Sequence, residues 1–351
     1  MNILLDDKDY KLYEFADENV TCSDIINDGL NLARKILSIS TLAEFIDQIP
    51  FDGVYAYDSS NINAFSIREG GTYLIGFSFA YFVKIKNWLN LWMKAPAIDE
   101  IFSFKNKKSK DTFFDNVYYF MIMFTVAHEL YHILDGHCDI PQNKNHFMLE
   151  HHSNTPNFMD TLFSQCLEYD ADYSSCIFCT SVIMQIEHGS VFEKLDLIRA
   201  FGFGLYNLFL LFCADDKQTS FEFVINSDFS ADDHPHPSLR IRYSLSLIMS
   251  IVLNHITLEQ CSSVFTVFVN EFISYDRILM QHGSLKECLF SVGFTQKGAQ
   301  HLMLLNNSWS FVKKILEPFT HIPLNDRLIL QEVSYWVDEK GDFITRNKND
   351  T

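Results

Sequence analysis

Between Ile25 and Leu42 apolar residues return every three or four positions, which predicts a helix, and helical patterning covers residues 9 to 48 more broadly. The pattern changes from residue 52 onward. Gly53–Tyr57 reads as a strand, and Asn63–Ile67 and Tyr73–Phe77 read as two more, joined through Arg68-Glu69-Gly70-Gly71-Thr72. Paired glycines between two alternating runs are a hairpin signal, because they adopt the positive φ of a tight turn without strain. A helix over Ser78–Met93 follows and ends before Pro96. Residues 103–112 are basic and polar and read as a surface loop.

From Phe113 the chain turns strongly apolar and predicts a helix to Leu134. A polar loop spans about 138–158, followed by helices over Met159–Glu187 and Glu193–Ala214, a loop over 215–237 and a helix starting near Pro237. Residues 256–351 read as several further helices without a chemical motif. The expected fold is α+β and mostly helical, with a small β-sheet near the N-terminal side.

Composition narrows the picture. The chain has 351 residues, 48% of them hydrophobic and 15% aromatic, enough for a packed core in one large domain or two small ones. The formal net charge of -18 repels a phosphate backbone, so no nucleic-acid role is expected. No signal peptide is recognisable at Met1–Asp9, so a cytoplasmic location with reduced thiols at its eight cysteines is expected. Cys176 and Cys179 are the one close pair, read as two small residues on a helix face. No run reaches the roughly 18 apolar residues of a spanning helix. The nearest, Ala200–Ala214, is short and interrupted by glycines and Asn207, so no integral membrane insertion is expected.

The chemistry begins at His128-Glu129-Leu130-Tyr131-His132. Histidines four apart share a helix face, so both imidazoles can reach one zinc ion, and Glu129 beside them can act on a water. The third ligand sets the class. A metzincin needs a glycine seven and a histidine ten positions after His128, but Asp135 and Cys138 stand there. A gluzincin needs a glutamate on a later helix, and Glu168-Tyr169-Asp170-Ala171-Asp172 supplies it. Glu168 is the expected ligand and Asp172, one turn on, the acceptor for a ligand histidine's free N–H. Glu168→Ala should strip the metal and Asp170→Ala should not. His137, in the Gly136-His137 pair beyond the motif, is a candidate second contact behind the ligands. Further on, Asp233-His234-Pro235-His236-Pro237-Ser238-Leu239-Arg240-Ile241 offers His234 and Arg240 as donors to an oxyanion. His236 competes with His234 for that role, and the spacing to Arg240 favours His234. His151 and His152 read as surface residues.

In this order, HELYHILDGH, ExxAD and HPxxxxRI resemble the metallopeptidases of the HtpX and CAAX-prenyl-protease group, and more closely their soluble relatives, the Lit phage-exclusion peptidases. The resemblance covers roughly residues 60–255. It implies a gluzincin core with a catalytic domain over 1–255, its motif core at 113–255, and a C-terminal helical segment, 256–351, packed on it. It also implies a zinc-dependent endopeptidase with Zn2+ on His128, His132 and Glu168 and Glu129 as general base. The implied partner is a protein or peptide substrate, with elongation factor Tu the target in phage defence; because an unrestrained endopeptidase would harm its host, narrow substrate choice or an activating partner such as a phage product is also expected. The alternative is a zinc-binding sensor or regulatory module with little proteolysis. The hairpin near residues 63–77 offers an edge strand to an extended substrate, and the loop from Cys138 to Asn157 is placed to gate the cleft.

Overall fold

A computed structural model describes residues 2–5, 8–140, 158–186, 190–213, 228–229, 232–285 and 288–324. Its five strands are β1 (Asn2–Leu5), β2 (Lys8–Tyr13), β3 (Phe51–Tyr57), β4 (Ala64–Glu69) and β5 (Thr72–Ser78), in the sheet order β1-β2-β3-β5-β4. Only β3 and β5 run parallel. The hairpin has the expected limits: β4 pairs with β5 from Ala64–Phe77 to Glu69–Thr72, and Gly70 and Gly71 turn at φ 58° and 91°. This pairing leaves β4 at one edge of the sheet.

The start of the chain differs from the sequence reading. Lys8–Tyr13 is a strand, not the beginning of a helix. Its charged Asp9 and Lys11 are exposed, while Tyr10 and Leu12 pack with Ile3, Tyr57 and Leu74. A period of two over six residues outweighs weak helical spacing. The helical run beyond it is split into α1 (Ser23–Leu37) and α2 (Ser40–Ile46). The break falls at Ser38, whose hydroxyl donates to the Lys35 carbonyl at 2.6 Å and competes with the helix ladder.

α3 (Phe79–Lys94) starts where expected, with Ser78 Oγ accepting from the Tyr81 N–H at 3.1 Å. The basic loop is shorter than expected. α4 (Pro96–Phe102) ends just before it and α5 (Lys107–Leu134) takes up residues 107–112, because Asn106 and Ser109 form a reciprocal cap that starts α5 six residues before its apolar run. From Phe120 to Leu134 every residue of α5 is buried, so this helix runs through the middle of the molecule. It alone among the described residues has the length and hydropathy of a membrane span, and 89% of its apolar window is buried inside the protein.

Around α5 lie α1, α3, β4, β5 and two long helices, α6 (Phe158–Met184) and α7 (Val191–Leu211). The polar residue in α7 is satisfied: Asn207 accepts from Trp88 Nε1 at 2.7 Å and donates to the Phe203 carbonyl at 2.8 Å. α8 (Pro237–Val252) covers α6. The C-terminal helices α9 (Leu258–Gln281), α10 (Leu289–Gly293) and α11 (Gln296–Leu316) pack onto α7, α8 and α6. Tyr275 of α9 meets Phe203 at 4.8 Å and Trp92 at 6.1 Å between ring centroids, so α9 shares the main apolar core, whereas α11 places Leu305, Trp309, Val312 and Leu316 in a second cluster with Leu162 and Cys166 of α6.

The end of α5 is closed from far along the chain. Beyond α11, the His321 N–H donates to the Leu134 carbonyl at 2.7 Å and Thr320 Oγ1 to the same oxygen at 3.2 Å. Gly136 turns there at φ 79°, and a Cβ on it would sit 2.6 Å from the Phe319 carbonyl carbon. Only glycine lets the two segments approach this closely.

Candidate metal centre

α5 carries His128 and His132 one turn apart, and burial on all sides fixes the rotation of the helix. Their Nε2 atoms face one another at 3.1 Å, and each lies 3.2 Å from a different oxygen of Glu168 on α6. The donor atoms of these three residues lie within 4.8 Å of one another.

The opposite sides of the rings are engaged too. His128 Nδ1 stands 3.0 Å from Asp172 Oδ1, and His132 Nδ1 stands 2.7 Å from His137 Nδ1. A ring nitrogen facing a carboxylate carries the proton, so a neutral His128 presents a bare Nε2 lone pair to the centre. Two such lone pairs and a carboxylate converging in a buried space repel one another unless a cation lies among them. In the metal-free chain a proton supplies that charge. Burial opposes it, but Glu168 and Asp172 outweigh burial and lift His128 to about 10. Burial likewise pushes Glu168 up, yet His234, His132 and His128 together hold it well below the usual carboxylate range. Two imidazoles and a carboxylate form a borderline-soft nitrogen and oxygen set of the kind that holds a divalent metal in a catalytic site.

Asp172 is itself clamped. Arg240 on α8 donates from Nε and Nη2 to both its oxygens, at 2.7 Å each, and the Tyr243 hydroxyl donates to Oδ2. Burial pushes this carboxyl up, but Arg240 and then His128 pull it down to about 2. The guanidinium also lies 4.4 Å from the Phe209 ring centroid. Arg240 therefore reaches the site through Asp172, with two of its donor nitrogens occupied there.

His234 does come to the site: its Nδ1 is 2.9 Å from Glu168 Oε2, and its side chain is 35% exposed, the most open of the group. His236, two residues on, is the N-cap of α8, its Nδ1 accepting from the Ser238 N–H at 3.2 Å, so its place is structural. Glu129 is buried on α5 beside both histidines. Its charge is felt at Cys138, whose thiol is pushed up to about 12 by burial first, with Glu129 and Asp139 adding. Cys138 sits in the short 3₁₀ turn His137–Asp139 beside the edge strand β4, its Sγ 3.5 Å from the Ser66 carbonyl.

Three residues escaped the sequence reading. Tyr243, three positions past Arg240, shares its helix face and its carboxylate. Asp170 meets His137 Nε2 at 3.2 Å, and with Asp135 they form a second group of converging donors, all buried. The one available signal was the third acidic side chain inside Glu168–Asp172. Cys176 and Cys179 are buried in α6, the first contacting the Ser244 carbonyl at 3.5 Å, as small core residues. His151, His152 and the loop assigned a gating role lie outside the described residues, apart from its first residues.

No protein-family model, curated protein or solved structure matches the chain.

Proposed function

We propose that this chain is a zinc-dependent endopeptidase of the gluzincin type. The reading is carried by the convergence of His128 Nε2, His132 Nε2 and the Glu168 carboxylate, the two rings backed from behind by Asp172 and His137, with Glu129 buried on the same helix. The three residues would hold zinc. When bound, the metal supplies Lewis acidity toward a water and toward the scissile carbonyl.

The chain's own residues do the rest. Glu129 takes the proton of the attacking water and passes it to the leaving amine. His234, at the open rim, donates to the oxyanion of the tetrahedral intermediate. Arg240, assigned that second task from the sequence, holds Asp172 instead, and Asp172 orients His128. The edge strand β4 lies beside α5, its Arg68 tied to Asp139 at 2.8 Å, and among the described residues no strand pairs with its outer side. An extended substrate adds to such an edge by backbone hydrogen bonds.

The biological role follows the Lit-like resemblance: cleavage of elongation factor Tu during phage infection, switched on by a phage product. Metal analysis paired with Glu129→Gln tests the chemistry. The parent and the variant should each hold one zinc, and proteolysis should fall by about 10²–10⁴-fold in the variant alone. New protein termini in cells expressing the parent, absent with Glu129→Gln, would identify the substrate. Undiminished proteolysis in Glu129→Gln would end the mechanism.

A further inference from the structure

The cluster of Asp135, His137 and Asp170 has the composition of a second metal site, since its donor atoms also lie within 4.8 Å of one another. The hydrogen-bond chain running into it argues for another use. His132 can ligate through Nε2 only as the tautomer that carries its proton on Nδ1. Among the described residues the partner of that proton at hydrogen-bonding distance is His137 Nδ1 at 2.7 Å, which must then accept and so be bare. A neutral His137 accepting at Nδ1 carries its own proton on Nε2, and that N–H points at Asp170 Oδ2, 3.2 Å away. Every step has a single direction: His132 donates to His137, and His137 donates to Asp170. A metal on His137 Nε2 would need the proton that this direction places there to leave, turning the ring into an imidazolate. The two candidate centres are therefore mutually exclusive for neutral imidazoles.

We infer that Asp135, His137 and Asp170 form no second metal centre, and that His137 and Asp170 are positioning residues fixing the tautomer and orientation of His132. The inference rests on the zinc reading above for the ligand role of His132. Both residues are 0% exposed, so the chain works out of reach of water, where a misdirected hydrogen bond is costly. Carboxylates placed behind a ligand histidine typically govern metal affinity by 10–100-fold, which sets the scale here. The geometry differs from that at His128, where the carboxylate is in direct contact. At His132 a second ring is interposed, so the carboxylate's effect depends on His137 being present.

The test is metal stoichiometry, zinc affinity by chelator competition and nitrogen-15 NMR of the histidine rings, on the full chain and three variants. The parent should bind one zinc per chain even in excess, with His132 protonated on Nδ1 and His137 on Nε2. Glu168→Ala should lose that zinc. Asp170→Leu should keep one zinc at saturation but hold it about 10–100-fold more weakly, and the His137 Nε2–H signature should disappear. His137→Phe should weaken zinc to a similar degree, and adding Asp170→Leu to it should cost little more. Two zinc ions in the parent, one of them lost in Asp170→Leu, would overturn the inference and leave the zinc reading standing. So would unchanged affinity in Asp170→Leu. Zinc retained by Glu168→Ala but lost from Asp170→Leu, or no zinc in the parent at all, would overturn both.

Discussion

The chain buries Asp172 and Asp276 equally, at 0% exposure each, and surrounds them differently. Asp172 faces the Arg240 guanidinium and is drawn down to about 2. Asp276, on α9, accepts from the Tyr206 hydroxyl at 2.5 Å, the Phe290 N–H at 2.7 Å and Cys288 Sγ at 2.9 Å, all neutral donors. Burial pushes it up to about 6, and these bonds moderate the rise without reversing it. Dehydration acts on both alike; the formal charge of the partner decides the outcome. A full anion beside His128 suits a candidate metal site, because it can hold the ring's proton away from the nitrogen that faces Glu168. A carboxyl met only by neutral groups joins α7, α9 and α10 and has no need of charge.

The largest effect should come from separating Asp172 from its cation. Arg240→Leu takes from the buried Asp172 the strongest of its cations, leaving His128 and the Tyr243 hydroxyl, and should cost about 3 kcal/mol in urea unfolding of the metal-free protein. A loss under about 1 kcal/mol would mean that Asp172 takes up a proton cheaply and that the contrast with Asp276 is slight. Next, Asp172→Asn should weaken zinc by about 10–100-fold in chelator competition, whereas Asp276→Asn should leave zinc affinity unchanged. Equal losses in the two would erase the functional half of the contrast.

Acidity sharpens it further. His128 is held protonated to about 10 in the metal-free chain, so zinc must displace a proton at every lower pH. Zinc affinity should therefore rise roughly tenfold per pH unit between about pH 6 and 8. A flat profile would show that the ring enters the complex already neutral. The smallest effect is on stability. Asp172 is depressed, so its contribution is present above the ordinary 3.8 and is lost as pH falls toward about 2. Asp276 is raised, so its contribution is complete below 3.8 and is lost as pH rises through about 6. Asp276→Asn should cost about 1 kcal/mol and flatten the stability profile between about pH 4 and 6. An unchanged profile would mean that its neutral donors already cancel the burial.

What was legible in the sequence was what is local. The two histidines of α5 and the apolar run before them share one helix, so spacing alone puts both on one face. The hairpin was legible because Gly70-Gly71 interrupts two alternating runs. The strand Lys8–Tyr13 was not, since Tyr10, Leu12 and Tyr13 within six residues fit either period until Ile3 and Tyr57 supply the neighbours. The true start of α5 was hidden because Asn106 and Ser109 cap it without the acidic residue that usually marks such a box. At the site, Arg240 was placed correctly on the helix after His234, but its direction depends on α8 lying across α6. The chain through His137 to Asp170 needs the turn after α5 to fold back toward the middle of α6, and no periodicity encodes that.

The closing of α5 has a consequence for how the protein comes to be made. The Leu134 carbonyl receives its partners from Thr320 and His321, at least 186 positions further along, so it waits until the segment beyond α11 is synthesised. As the ribosome extends the chain, both histidines, Glu168, Asp172 and Arg240 emerge well before Thr320 and His321 do. The nascent candidate metal centre would thus hold all its chemical groups while the end of its central helix was still open to fraying. Ordering that end last delays a rigid centre until the segment beyond α11 has emerged.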